Sequence, residues 1–196
     1  MVSQLRERQH ETAANEESAP AVTAAAGGLL KRQLDQPGLL LKRLVLVAGA
    51  VYLAMVATTN AVNFIASVGH FHWVFLNSGN AAYIASITKA YAWPAWTDQA
   101  VVLAAALAEG FGAFLFIRAL VRYRGGAAGL RAVWQALTWN VVVWLGFIAG
   151  TEFFVAYPSE GPFRELMIIA LLMPVIIAVV PDAGHRGPAQ SAQDPT

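Results

Sequence analysis

Apolar residues fill four long stretches of the chain, and polar or charged residues separate these stretches. A helix needs about 20 mostly apolar residues to cross roughly 30 Å of hydrocarbon. The four stretches reach that length, and they predict membrane spans at residues 44–66, 98–121, 134–157 and 163–180. We therefore expect an all-α fold: a polytopic membrane protein built as a bundle of four transmembrane helices.

Both ends of the chain differ in composition from the middle. Residues 1–43 begin with a polar stretch without apolar periodicity and end in a basic segment next to the first span. Residues 182–196 are rich in glycine and proline. We expect both ends to be cytoplasmic, and the polar parts to be disordered tails. The transmembrane domain is predicted over residues 44–181.

The composition favours a membrane protein and excludes several kinds of site. Hydrophobic residues make up 57% of the chain and charged residues 13%, whereas a soluble domain carries about 25% charged residues. The net charge of +1 gives no reason to expect a nucleic-acid partner. The absence of cysteine excludes disulfides, thiolate metal sites and cysteine nucleophiles. Phosphate-loop, dinucleotide-binding, zinc-protease and serine-hydrolase motifs are missing as well. We expect no enzyme activity, no cofactor and no metal.

Basic residues predict the direction of the spans, because lysine and arginine favour the cytoplasmic side of a membrane. They concentrate before the first span and between the second and third spans. These residues are Lys31, Arg32, Lys42, Arg43, Arg118, Arg122, Arg124 and Arg131. The other two connections carry only Lys89 and Arg164, so both termini are expected in the cytoplasm. A chain rich in alanine, glycine and arginine suits a GC-rich bacterium, which predicts a bacterial cytoplasmic membrane.

The first external connection, residues 67–96, is long and aromatic. Between Asn80 and Tyr91 its apolar positions recur at helical spacing. These positions are Tyr83, Ile84, Ile87 and Tyr91. The pattern predicts a short helix in the membrane interface, where tryptophan and tyrosine prefer to lie. A membrane-hugging loop, a lid over a site and a docking surface are the roles open to it.

Two histidines in that connection, His70 and His72, are weak candidates for metal or haem ligands. Side chains two residues apart point the same way on a strand and diverge on a helix. Two ligands alone do not make a metal site, and none of the four predicted spans contains a histidine. We expect these histidines, with Phe71 and Trp73, to anchor the connection at the interface.

Glu109 is the principal candidate for a functional residue, since it lies near the middle of the second span. An ionised carboxylate there costs at least several kcal/mol on most scales. One interpretation is a proton or cation relay, or a contact to a buried ligand. The other is a protonated acid hydrogen-bonded to Thr59 or Asn60 of the first span. Asn140 is the other polar candidate within the spans, and we expect it to bond another helix.

Small residues predict how the second and third spans pack. Ala104, Ala108 and Gly112 form a ridge on the second span, and Gly146 and Gly150 have the GxxxG spacing on the third. Small residues let two helix backbones approach closely. We expect these two faces to pack directly against each other.

The connection between the last two spans is predicted to be a tight turn at Pro158, Gly161 and Pro162. Glu152, near the end of the third span, and Arg164, near the start of the fourth, should come to a similar depth across this turn. We therefore expect an ion pair between them at the outer interface, with Glu160 and Glu165 as competing carboxylates.

Several short features, in this order along the chain, carry a resemblance to a known family. They are Asn60 with Asn63-Phe64, the long aromatic external connection, Glu109, Gly150-Thr151-Glu152-Phe153-Phe154, Phe163-Arg164 and Pro181-Asp182. Over roughly residues 44–182 the chain resembles the bacterial family of predicted small integral membrane proteins called domain of unknown function 2165. It departs from that family in the turn at residues 158–162. The resemblance implies a four-span membrane fold and no known reaction.

Three classes of function are consistent with these features. The first is a non-catalytic accessory or assembly partner of a membrane complex, which would contact other membrane proteins or a second copy of itself. The second is a small proton- or ion-coupled transporter or channel centred on Glu109. The third is a quinone- or haem-linked membrane anchor subunit.

Overall fold

The structure, a computed structural model, describes residues 36–69, 74–94, 96–125, 127–157 and 160–182. Over these ranges the chain is helical and contains no strand. The helices are α1 Pro37–Gly69, α2 Asn80–Thr88, α3 Trp96–Arg122, α4 Leu130–Phe153 and α5 Glu160–Val179, with 3-10 turns at Lys89–Tyr91 and Ala127–Gly129. The prediction of an all-α fold is confirmed.

Within the described ranges, the long helices α1, α3, α4 and α5 are apolar enough to cross a membrane. The shortest of them, α5, has 20 residues, which at 1.5 Å per residue reach across about 30 Å. The prediction of four apolar helices of membrane-spanning length is confirmed. Residues Leu41–Pro181 form one compact unit, and the packing described below belongs to this unit.

The first helix starts earlier than the predicted span. It begins at Pro37, seven residues before residue 44, so part of the expected basic segment is helical. Proline favours the first position of a helix because its backbone needs no hydrogen-bond donor there. The tails predicted over residues 1–35 and 183–196 lie outside the described residues.

The last two long helices meet at a different place from the expected turn. Helix α4 ends at Phe153, and Val155 adopts a left-handed conformation with φ of 54°. Helix α5 already begins at Glu160, so Gly161 and Pro162 lie in its first turn instead of forming the turn between the helices. Proline fits this position because the first N–H groups of a helix have no partner within the helix.

Helices α1, α3 and α4 meet at glycines of α1 and α3. A Cβ atom on Gly49 would lie 2.5 Å from the ring of Phe116, whose side chain is fully buried. A Cβ on Gly112 would lie 2.8 Å from Leu53 of α1 and 3.1 Å from Trp139 of α4. These contacts show that α1 packs closely on α3 at Gly49, and that all three helices meet at Gly112.

Helix α5 packs against α4 and leaves most of its surface uncovered. The rings of Phe147 and Phe163 stack with centroids 5.1 Å apart, and Ala170 and Ile177 are buried. The remaining face of α5 is exposed and apolar, and Leu171 is one of its residues. An apolar outer face is what a helix in contact with lipid requires.

The connection between α1 and α3 folds back onto the bundle. The Thr88 hydroxyl at the end of α2 donates a 2.6 Å hydrogen bond to the Asp98 carboxylate in the first turn of α3. Tyr91 and Trp93 contact the ring of Phe154, with centroids 5.5 and 5.2 Å apart. Helix α2 therefore lies against the bundle, and its position in a membrane interface stays a prediction.

Candidate ligand-binding site

A cavity of about 490 Å³ lies among the helices, in the half of the bundle that carries α2 and the α4–α5 connection. All five helices contribute side chains to its wall. The lining residues are Tyr52, Val56, Asn60, Asn80, Tyr83, Ile84, Ile87, Val101, Val102, Ala104, Ala105, Ala108, Glu109, Trp139, Val142, Val143, Trp144, Gly146, Phe147, Gly150, Thr151, Phe154, Phe163 and Leu166. This volume falls within the range of pockets that hold small ligands, and a mostly apolar wall with a few polar groups is their usual character.

Glu109 forms part of this wall and is almost completely buried, with 2% of its surface exposed. Its carboxyl Oε2 accepts a 2.8 Å hydrogen bond from Nδ2 of Asn60 in α1. Thr59, the other expected partner, donates instead to the carbonyl of Val56 in its own helix. The described residues give Oε1 of Glu109 no hydrogen bond, which leaves this oxygen for a group inside the cavity.

Asn60 links Glu109 to the start of α2, in the connection between α1 and α3. While its Nδ2 donates to Glu109, its Oδ1 accepts a 2.6 Å hydrogen bond from Nδ2 of Asn80. The Ser78 hydroxyl donates to the same oxygen at 3.1 Å. Asn60 is 3% exposed, and an amide with both ends bonded holds one orientation. The position of the Glu109 carboxyl is thus coupled to the start of α2.

Asn63, one turn further along α1, holds the same segment through its backbone. Its Oδ1 accepts a 2.7 Å hydrogen bond from the backbone N–H of Ala81, in the first turn of α2. Its Nδ2 donates to Asn77. A first-turn N–H has no partner within its own helix, so Asn63 supplies one and fixes where α2 begins.

The apolar face of α2 covers the cavity on one side. Tyr83, Ile84 and Ile87 all line the cavity, and they are three of the four positions whose spacing predicted the helix. Among the roles open to this connection, this geometry fits a lid over a site.

Aromatic rings form a continuous row in the wall. Tyr52 and Trp144 have ring centroids 6.0 Å apart, Trp144 and Phe147 5.6 Å, and Phe147 and Phe163 5.1 Å. The indole N–H of Trp144 donates to Oδ1 of Asn140 at 2.9 Å, and that of Trp139 donates to the carbonyl of Ala108 at 2.8 Å. Because both indole donors are bonded within the protein, these two rings offer the cavity their π surfaces.

The small residues of α3 and α4 do not all pack as predicted. Gly112 does allow close packing, but a Cβ on Gly146 or on Gly150 would meet no atom within 4 Å. The prediction that these two glycines pack directly against Ala104 and Ala108 is wrong. The four residues line the cavity instead, and Trp139 fills the contact at Gly112.

The cavity has an opening between α3 and α4. Ala104 on α3 and Gly146 on α4 are exposed although both line the cavity. Val142, one turn before Gly146, lines it too and is 50% exposed. These exposures indicate that the cavity opens sideways at the seam between the two helices.

Asn140 lies outside this site. Its Nδ2 is 3.7 Å from the sulfur of Met173 in α5, and its Oδ1 accepts from Trp144. It bonds another helix, as predicted, and it supports the aromatic wall through Trp144. The hydrogen bonds of Glu109 run in a different direction, through Asn60 to α2.

The predicted ion pair between Glu152 and Arg164 is wrong. Arg164 pairs with Glu160, four residues earlier in the same helix, and Glu152 is exposed. Because α5 starts at Glu160, this carboxylate lies one helical turn from Arg164, the spacing at which side chains meet on a helix. Glu160 is buried, with 5% of its surface exposed, whereas the Arg164 side chain is 64% exposed.

The described residues contain no cluster of three or more His, Asp or Glu side chains that could hold a metal ion. His70 and His72 lie outside the described residues.

The sequence alone assigned no role in a site to Asn63, Ser78, Asn80, Trp139 or Trp144. The two asparagines at positions 60 and 63, one turn apart near the end of an apolar span, are a signal that could have pointed to an anchor for the following loop. The role of the two tryptophans depends on helix packing and leaves no such local signal.

Comparisons with protein families, curated proteins and solved structures find no match to this chain.

Proposed function

We propose that this chain is a non-catalytic integral membrane protein that binds a small lipophilic molecule in the cavity around Glu109. The cavity itself is the observation that carries the proposal: about 490 Å³ of largely apolar space with one buried carboxyl in its wall. Ligand sites combine this volume and apolar character with a few oriented polar groups.

A packing defect is a poorer account of the same space. Protein interiors are close-packed, and an unfilled apolar cavity lowers stability in proportion to its volume. The chain has glycines at positions 146 and 150, where an added Cβ atom would meet no atom within 4 Å. Glycine in a helix interior is also less stable than alanine by about 1 kcal/mol. Both features cost stability, and a bound ligand offsets that cost.

We propose a bacterial cytoplasmic membrane as the location, with both termini in the cytoplasm. Arg122 is the last residue of α3, Arg124 follows it, and Arg131 lies in the first turn of α4, so these basic residues lie at the opposite end of the bundle from α2. With that end in the cytoplasm, the cavity lies in the outer half of the bilayer, and its opening between α3 and α4 faces lipid.

In this accessory role, the ligand-loaded bundle works with other membrane proteins. Ion-coupled transport centred on Glu109 has less support. A pathway needs polar groups along the route, and among the described residues the hydrogen bonds of Glu109 lead towards α2. Asn140, nearer the other end, bonds to Met173 and Trp144.

The experiment is photolabelling of the purified full chain in lipid nanodiscs with 4-neopentylbenzophenone, a neutral apolar probe. Binding in the cavity predicts saturable labelling of lining residues such as Val143 and Leu166. Labelling that is non-saturable, or that falls only on exposed α5 residues such as Leu171, would overturn the proposal.

A matched pair of variants localises the binding. Gly150→Leu places a side chain in the cavity and should reduce labelling of Val143 and Leu166. Ala149→Leu adds the same side chain at the neighbouring exposed position, outside the lining, and should leave the labelling unchanged.

A further inference from the structure

We propose that the ligand of this cavity is a lipophilic organic cation, a large apolar molecule with one positive centre that lies against Glu109. This inference rests on the proposed function and adds the chemical class of the ligand. It follows from the charge of the wall, the free carboxyl oxygen, the aromatic row and the opening.

The charge of the wall selects the sign of the ligand. Among the described lining residues Glu109 is the acidic one, and none of them is a lysine, arginine or histidine. A carboxylate with no basic partner is costly in a low-dielectric interior. A ligand cation supplies the missing opposite charge, whereas an anion would add to the cost.

The geometry of Glu109 leaves room for that contact. Asn60 holds Oε2 at 2.8 Å, and the described residues give Oε1 no hydrogen bond. The carboxyl is therefore oriented by one oxygen and can receive a ligand with the other. A hydrogen bond or ion pair to a charged group is stronger than a bond between neutral groups.

The aromatic row fits a cation with apolar substituents. Positive centres are attracted to the faces of tryptophan, tyrosine and phenylalanine, most strongly to tryptophan. Trp144 lies between Tyr52 and Phe147 in this row, with its N–H already bonded to Asn140. Its π system is thus what the ring offers to a ligand.

The opening suits a molecule that arrives from the bilayer. Ala104, Val142 and Gly146 line the cavity at the seam between α3 and α4 and are exposed. In a membrane this apolar seam faces lipid in place of water. A lipophilic cation concentrates in the membrane and reaches the cavity through it, whereas a strongly hydrated inorganic ion does not.

The test compares two photoprobes of the same shape. One is 4-(trimethylammoniomethyl)benzophenone, and the other is 4-neopentylbenzophenone, in which carbon replaces the charged nitrogen. Half-saturating concentrations are measured for both on the full chain in nanodiscs. The cation should saturate the lining residues at a concentration at least about 10-fold lower, the difference expected for one charge-assisted contact.

Comparison of variants cancels the effect of lipid partition, because each probe partitions into the lipid to the same extent for every variant. Glu109→Gln should abolish the preference for the cation while keeping labelling by the neutral probe. Glu109→Asp should keep part of the preference, and Glu152→Gln, at an exposed site, should keep all of it. Equal preference in wild type and Glu109→Gln overturns the cation proposal and leaves the proposed function standing. Failure of both probes to label the cavity overturns the proposed function itself.

A second measurement needs no variant at Glu109. Dicyclohexylcarbodiimide modifies carboxyl groups in apolar surroundings, and its adduct on Glu109 is detected by mass spectrometry in the unmodified chain. The cationic probe should protect Glu109 at concentrations where the neutral probe does not. Equal protection by the two probes would count against a positive centre at this carboxyl.

Discussion

The amide of Asn60 and the carboxyl of Glu109 are joined by a 2.8 Å hydrogen bond that links α1 to α3 deep in the bundle. Through its other end Asn60 accepts hydrogen bonds from Ser78 and Asn80. One side chain therefore joins the buried acid to the helix that covers the cavity.

Replacement of Asn60 should weaken both connections at once. We expect Asn60→Ala to lower the free energy of unfolding by about 1–3 kcal/mol, because buried polar partners lose their hydrogen bonds. Amide hydrogen exchange over Asn80–Thr88 should become faster. The control is Thr59→Ala, whose hydroxyl bonds only within its own helix. Equal exchange rates in the two variants would show that Asn60 does not anchor α2.

Two glycine-to-alanine substitutions should have opposite effects on stability. Gly112→Ala places a Cβ 2.8 Å from Leu53 and 3.1 Å from Trp139, and overpacking of this kind costs about 1–3 kcal/mol. Gly150→Ala meets no atom within 4 Å and should gain up to about 1 kcal/mol from helix propensity. Unfolding in detergent titrations measures both. Destabilisation by Gly150→Ala would contradict the open space described at this position.

The ion pair between Glu160 and Arg164 in α5 should contribute little to stability, and Glu152 should contribute still less. Glu160→Gln removes the partner of Arg164, and we expect a loss below about 1 kcal/mol because the arginine is mostly exposed and the pair is screened. Glu152→Gln should leave stability unchanged. Thermal melting curves of the two variants in the same detergent measure both losses of stability. A larger loss for Glu152→Gln would favour the pairing expected from the sequence over the observed one.

The direction of the bundle can be tested without background labelling, because the chain has no cysteine. Val74 and Ala128 are both exposed and lie in connections at opposite ends of the bundle. In intact cells a membrane-impermeant maleimide should label Val74→Cys, whereas Ala128→Cys should react only after lysis. The reverse pattern would place the cavity in the cytoplasmic half of the membrane.

The four long helices could be predicted because length and apolar composition are local properties of the sequence. The helical spacing of Tyr83, Ile84 and Ile87 also predicted α2, since one face of a short helix repeats every three to four residues. Glu109 stood out for an equally local reason: a carboxyl group within an apolar span has few purposes there.

Contacts between helices could not be predicted in the same way. The GxxxG spacing of Gly146 and Gly150 predicted close packing, but small residues only permit such an approach and do not enforce it. Trp139 fills the contact at Gly112, whereas Gly146 and Gly150 line the cavity. This difference depends on the three-dimensional fit of side chains. The pairing of Arg164 depended on the first residue of α5, and helix boundaries are the least certain part of a sequence-based prediction.

The absence of side chains at Gly146 and Gly150 affects how the size of the cavity can change by mutation. Since a Cβ at either position meets no neighbour, alanine fits there without moving a helix, and we expect serine and valine to reduce the internal volume further. The range of molecular sizes that the bundle admits is thus adjustable by single substitutions, while Glu109 and Asn60 keep their positions. Related chains that differ at these two sites should differ in the bulk of their ligand and share its polar group.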